Sequence, residues 1–531
     1  MKQAKSTRAK ITAAAFLLMA LGSLEQLTGL LKQVLTAALF GTSESMDSFL
    51  IAIAIFGIIR AWISHPIDQT IIPMFRHDLA KQGEKESWAN VSVLFNNLAL
   101  VLTVLALIAW LVAPYLVRMI APGFDAESGG LASSLTRITM AGVLFMGLER
   151  ILSQILFSYE RFALPGVAGS VENFVEALVL LVFAGMYGIY GMAIAVVAGA
   201  IARFVLQLPI LWEKRRFYAP KVNLFHPRMT ELGRLSFPLM LASSGDQLAR
   251  VTDRLFASLL PGGSLSALNF AHGLITALNT FFIGSFQQST FPHFSKLSAE
   301  ENFGALSRQL FHYLRVVFFL TVPMAVGIMV VAESAVALVY QRGAFDEESV
   351  RLTSQALIFY AIGFPASSLA RVLNRTFFTL KNTKTPSKLA VLRIAIKIVL
   401  SGLLIRPLGH VGIAIAESLS HIIRIVFLFL LLPNEVKGNE TWNTIKSLGQ
   451  TLASACVMGG LVYLIQERLT HLFDIPMATK LAVLVILGCL FYGIAALASQ
   501  QQELRSVFES LRSLTARFRQ PKSARLKSAS Q

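Results

Sequence analysis

The sequence predicts an all-α polytopic membrane protein: about fourteen transmembrane helices, arranged as two six-helix lobes related by an internal repeat plus two C-terminal helices. Three observations carry this. Of 531 residues, 55% are hydrophobic and 15% charged, whereas soluble domains carry roughly 25% charged residues. The mean hydropathy is +0.62. Many apolar windows are long enough to cross roughly 30 Å of hydrocarbon. The first half of the chain also matches the second at one fixed offset.

Taken in order, the expected spans are 11–40, 46–75, 88–117, 131–158, 165–186, 189–212, 231–260, 264–292, 308–340, 349–379, 387–405, 409–433, 446–466 and 478–499. The first stretch is long and has no small-residue cleavage site, so no secretory signal is expected. Cys456 and Cys489 fall in late apolar segments and read as small buried hydrophobes. Neither a cofactor nor a metal site is implied.

The net charge of +17 is assigned to topology before anything else. Basic residues gather at the N-terminus (Lys2, Lys5, Arg8, Lys10), after the sixth span (Lys214, Arg215, Arg216, Lys221, Arg228), after the tenth (Lys381, Lys384, Lys388) and in the tail (Arg505 to Lys527). The intervening loops "GTSES", "APGFDAESGG" and "QRGAFDEES" are acidic. The positive-inside rule then places both termini in the cytoplasm, and no nucleic-acid partner is inferred. In the tail, Leu504, Val507, Phe508, Leu511, Leu514 and Phe518 recur at helical spacing among basic residues. Such a segment is either an amphipathic helix on the anionic leaflet or a solvated basic tail.

The repeat has an offset of 221 residues. It maps Gly41 onto Gly262, Ser43 onto Ser264, Ser45 onto Ser266 and Phe49 onto Phe270. It further maps Phe124 and Asp125 onto Phe345 and Asp346, Pro165 onto Pro386 and Arg203 onto Arg424. Each unit holds an even number of spans, so the copies share one topology, as in transporters built from parallel repeats. The expected domains are an N-lobe over 1–225, a C-lobe over 226–435, a helix pair over 436–500 and a basic tail over 501–531.

Charges lie within the spans, where each costs at least a few kcal/mol, about 2.5–3.5 by insertion scales. The first span carries Glu25 and Lys32, the second Asp47 and Arg60, the seventh Asp246, Arg250, Asp253 and Arg254, and the eighth His272. A second group comprises Arg393, Lys397, Glu417, His421 and Arg424, with Glu417 and Asp246 as candidate partners for the two cations. Two readings stay open. The charges neutralise one another, Asp246 with Arg250 and Glu25 with Lys32 through water, or they line a hydrated cavity. Lys and Arg there suit a phosphate-bearing substrate. Arg137, Glu149, Arg150, Glu172 and Glu176 either line that cavity or pair near the membrane faces. No phosphate-binding loop, HExxH, GxSxG or CxxC occurs, so ATP hydrolysis is not expected to drive transport. A small-molecule antiporter predicts an acidic cavity, and a membrane enzyme predicts large outer loops; neither fits.

The stretches "LFGTSESMDSFLIA" (39–52), "APGF" (121–124), "DRLFASLLPGGSLSALNFA" (253–271), "FPHFSKL" (291–297), "QRGAFD" (341–346) and "NRTFFTLKNTKTP" (374–386) resemble the MurJ/MviN family. These are the lipid II flippases of bacterial cell-wall synthesis, in the superfamily of multidrug (MATE) and polysaccharide exporters. The resemblance covers about residues 10–435. It implies a cationic central cavity for an undecaprenyl-pyrophosphate-linked saccharide, a groove beside the last two helices for the lipid tail, and a monomer in the inner membrane among its lipids. By position, Lys32 stands for a usual Arg, while Asp47, Arg60 and Ser266 match. Lys32, Arg60, Arg250 and Arg254 would hold the pyrophosphate, Asp47 would position a basic neighbour, and Ser266 and His272 complete the expected binding set. Gln26, Ala54 and Gly273 depart from the family's basic residues. These departures leave a lipid-linked exopolysaccharide unit open as a second substrate. Some members bind sodium in the second lobe; Arg393 and Lys397 occupy that neighbourhood here and argue against it.

Overall fold

The computed structural model describes residues 2–280, 294, 297–298, 300, 302–437, 440–472, 476–499 and 503–504. The side chains of 2–16, 237–239, 241–246, 440–441 and 469–472 are outside that description. The side chain of Asp246 and nearly all of the basic tail therefore lie outside that description.

The helices are α1 (Lys2–Phe40), α2 (Glu44–Ile120), α3 (Ala126–Ser158), α4 (Ala163–Tyr187), α5 (Ile189–Glu213), α6 (Pro227–Ala257) and α7 (Ser264–Leu278). They continue as α8 (Phe303–Tyr340), α9 (Glu347–Thr379), α10 (Lys384–Leu430), α11 (Asn434–Lys437), α12 (Glu440–Leu472) and α13 (Met477–Ala498). No strand occurs among the described residues. Two helices each contain two expected spans. The backbone leaves the helical region at Gly83 within α2 (φ 80°, ψ 175°) and at Gly409 within α10 (φ 56°, ψ −136°). Among the described residues, eight helices are long and apolar enough to cross a membrane, α2 among them. The charge-bearing α1, α6 and α10 are not among the eight. Their polar faces need neighbouring helices as cover.

The chain packs as two compact units. The first comprises Met1–Ala277, Val339–Thr353 and Ile394–Ile413. In it α2 packs on α3 and α6, α3 on α5, α5 on α4 and α4 on α1. The second comprises Leu278–Leu338, Ser354–Arg393 and Ala414–Gln531. One of its cores gathers Phe294, Leu310, Phe311, Leu373, Phe377 and Leu428. Another joins α8 to the C-terminal pair through Phe319, Met458, Val462 and Tyr492.

Local geometry recurs at the repeat offset. Asp125 Oδ1 accepts from the Ser128 amide, and Asp346 Oδ1 from the Ser349 amide, each at 2.8 Å. Glu160 and Lys381 both adopt positive φ, 59° and 58°. Gly188 (φ 55°, ψ −132°) matches Gly409 in the same way. That conformation is essentially restricted to glycine.

The basic loops are laced by ion pairs in the first unit. Lys214 Nζ lies 2.7 Å from Glu84, Arg161 lies 2.6 Å from Glu213, and Arg228 meets Asp78. The hydrogen bonds from Lys214 and from the Tyr159 hydroxyl hold the Glu84 carboxyl below its usual range.

Candidate functional site

α1 and α4 lie side by side, and their polar residues face each other across the contact. Lys32 Nζ is 2.7 Å from Glu176 Oε2. One turn earlier on α4, Glu172 accepts from Arg203 Nη1 of α5 at 2.6 Å and stands 3.8 Å from Arg60 Nη1 of α2. Arg203 Nε also lies 3.1 Å from Glu149 of α3. Gln207 and Ser153 donate to that carboxylate, each at 2.6 Å. Arg150 pairs with Asp68 through two hydrogen bonds. Pairing of this kind is how a membrane interior tolerates ionised groups.

The sequence expectation paired Lys32 with Glu25 through water. The structure instead pairs it with Glu176, 144 positions away. Glu25 lies alongside Gly169 of α4, whose missing Cβ makes room for the carboxylate. Lys397 meets Asp253 at 2.8 Å; of the two candidate partners, Glu417 meets Arg393 at 3.2 Å, and the Asp246 side chain lies outside the described residues.

Lys32 and His272 line one cavity of about 490 Å³, with Glu25, Gln26, Gln33 and Asn173. The His272 ring lies 3.3 Å from the Thr276 hydroxyl. At the departure position Gly273, Gln33 of α1 occupies the space that a side chain would take. Arg60 lines a second cavity of about 280 Å³, with His65, Asp68, Arg150, Arg203 and Gln247. Arg60 keeps 42% of its side chain exposed, against 10% for Arg203. It is the more accessible of Glu172's two partners. A third, apolar cavity of about 790 Å³ runs between α2 and α6, lined by Ile55, Trp62, Ile63, Leu232 and Val251. Arg250 and Arg254 line none of these three. Arg254 donates to the carbonyls of Leu50 at 3.2 Å and Arg250 at 3.3 Å.

Asp47 and Ser266 stand apart from the cavities' charged groups. Asp47 is 3% exposed and Ser266 is fully buried. The expectation that Asp47 positions a basic neighbour is corrected here. Its carboxylate accepts from the Gly263 amide at 2.8 Å, the Ser266 amide at 2.7 Å and the Ser266 hydroxyl. It caps the N-terminus of α7, where backbone N–H groups lack helical partners and favour an anion. The capped turn belongs to a wider seal among the acidic loops. Thr42 and Ser349 share a hydroxyl hydrogen bond of 2.8 Å, and the Ala344 amide donates to Ala38 at 2.8 Å. The Gly123 amide donates to the Ser258 hydroxyl at 3.3 Å.

Glu172 and Glu176 were legible only as isolated charges. Their i,i+4 spacing marks a shared face, but nothing local names the cations on α1, α2 and α5 that they meet.

Comparison with known proteins bears on this geometry. A family profile described as lipid II flippase MurJ matches residues 36–486. The lipid II flippase MurJ of Burkholderia cenocepacia is 28% identical over 506 residues, covering 92% of this chain and 96% of that protein. A probable lipid II flippase MurJ of Vibrio cholerae is 24% identical over 497 residues, covering 88% and 94%. Among solved structures, a lipid II flippase MurJ in an inward closed conformation superposes with a TM-score of 0.76 at 22% identity, over 91% of this chain and 98% of that one. An inward-facing multidrug MATE transporter of the MOP superfamily gives 0.65 at 17% identity, over 80% and 96%. At those identities the structural likenesses show the fold alone. The profile spans most of the chain, from the end of α1 to within α13, and on that ground the chain belongs to the lipid II flippase MurJ family.

Proposed function

We propose that this chain flips lipid II, an undecaprenyl-pyrophosphate-linked saccharide, across the bacterial inner membrane by alternating access. The observation that carries the reading is the placement of Lys32 and Arg60 on cavities among the spans of a MurJ-family fold. Each cation is held by a carboxylate and each keeps part of its side chain exposed, 25% for Lys32 and 42% for Arg60. A pyrophosphate offers such groups charge-assisted hydrogen bonds worth about 1.5–3 kcal/mol apiece. Ser266 and Asp47 act at the seal, His272 borders the Lys32 cavity, and Arg250 and Arg254 join the substrate once the lobes move.

The lobes over 1–225 and 226–435 rock about the cavity, and the pair over 436–500 guides the isoprenoid tail. The protein works as a monomer with both termini in the cytoplasm; the basic loops support that orientation. Complementation tests the whole reading. In a bacterium depleted of its own lipid II flippase, the wild-type chain restores growth and Arg60→Ala, at equal expression, does not. Failure of well-expressed wild type to rescue overturns lipid II as substrate, and rescue by Arg60→Ala removes Arg60 from the pathway.

A further inference from the structure

The two carboxylates on α4 are not equivalent. Glu172 has two arginine partners, so losing Arg60 to a ligand leaves Arg203 in place at 2.6 Å. Glu176 is held by Lys32 at 2.7 Å and is 5% exposed. It is also fixed in place: Gly199 of α5 lies so close that a Cβ there would overlap the Glu176 side chain. Lys32 is mobile by comparison. Its ammonium rides a four-carbon stem, a quarter of its side chain is exposed, and it borders the 490 Å³ cavity.

The local charge balance is close. The groups around Glu176 are Lys32 and Glu25 on α1, Arg60 on α2, Glu149 on α3, Glu172 on its own helix and Arg203 on α5; His272 of α7 borders the shared cavity. Lys32, Arg60 and Arg203 pair with Glu149, Glu172 and Glu176, and Glu25 adds one further carboxylate beside the same cavity. A pyrophosphate esterified at both ends remains doubly anionic from mildly acidic to alkaline pH. When it takes the Lys32 ammonium, Glu176 is left buried without its cation. An uncompensated buried charge of this kind is strongly unfavourable, and a group so placed neutralises instead.

We infer that Glu176 is a substrate-linked proton site. As Lys32 moves to a phosphate oxygen, Glu176 takes one proton from cavity water, forming one O–H bond; as the phosphate departs, the proton returns to water and Lys32 re-pairs. This rests on the reading of the chain as a carrier of a pyrophosphate-linked lipid. The loaded carrier consequently moves one negative charge fewer than its substrate bears.

The test is calorimetric titration of the full-length protein in nanodiscs with purified lipid II. Buffers of different ionisation enthalpy are compared at one pH, and the series is repeated between pH 6 and 8. Wild type takes up about one proton per lipid II bound, and its Kd rises roughly tenfold per pH unit. E176Q binds with no uptake and a flat Kd, whereas H272Q, whatever its affinity, still takes up about one proton and keeps the tenfold slope. Wild-type binding without proton uptake overturns the inference while leaving the flippase reading intact. So does uptake that survives in E176Q and vanishes in H272Q. If E176Q does not fold, the wild-type and H272Q slopes decide. Absence of lipid II binding at every pH defeats the flippase reading and this inference together.

Discussion

At the scale of single residues, one carboxylate separates two kinds of intramembrane charge. Asp47 serves the backbone: it satisfies two amides and a hydroxyl of the α7 turn. Replacing it by Ala strands buried donors, each costing about 1–3 kcal/mol. In a background with Cys456 and Cys489 replaced, Asp47→Ala should raise labelling of Leu265→Cys by an impermeant maleimide from outside. Unchanged labelling would remove Asp47 from the seal. Lys32, Arg60, Glu172 and Glu176 instead serve one another. The sequence named these four as charges within spans but did not give their pairing. Lys32 and His272 do share a cavity, because helical spacing sets which face a residue occupies. Which residue lies opposite on another helix is a tertiary fact. The partners of the α4 carboxylates therefore came to light only in three dimensions, and Arg250 and Arg254 line none of the three cavities described.

At the scale of elements, legibility was much higher. The expected ends at Phe40, Ser158, Tyr340 and Thr379 coincide with those of α1, α3, α8 and α9. Turn residues after each of them leave the helix little freedom to extend. The spans expected over 46–75 and 88–117 instead run together as α2 across the break at Gly83, because the polar stretch between them is helical outside the apolar windows. The repeat was visible as residue identities, but its conformational counterpart at Gly188 and Gly409 was not. Nothing lies within 4 Å of a Cβ added at either glycine. Alanine there pays only backbone strain, about 1–3 kcal/mol. Gly188→Ala and Gly409→Ala should thus lower the thermal midpoint in detergent by similar amounts. If neither does, the breaks are not held by glycine's conformational range.

At the scale of the whole molecule, the rocking of lobes proposed above would require the acidic loops to part. Thr42→Cys with Ser349→Cys, in the cysteine-free background, replaces their 2.8 Å hydroxyl contact with a cross-link. Oxidation should stop lipid II movement in proteoliposomes and reduction restore it; transport that continues with the bridge formed would show that this joint stays shut throughout the cycle. The make-up of the seal has a thermodynamic consequence as well. The contacts described across it are hydrogen bonds, and water can replace each of them at little net change. Opening at these joints therefore exchanges protein partners for water, bond by bond. The balance between shut and open at these joints then follows the availability of water at the loop tips.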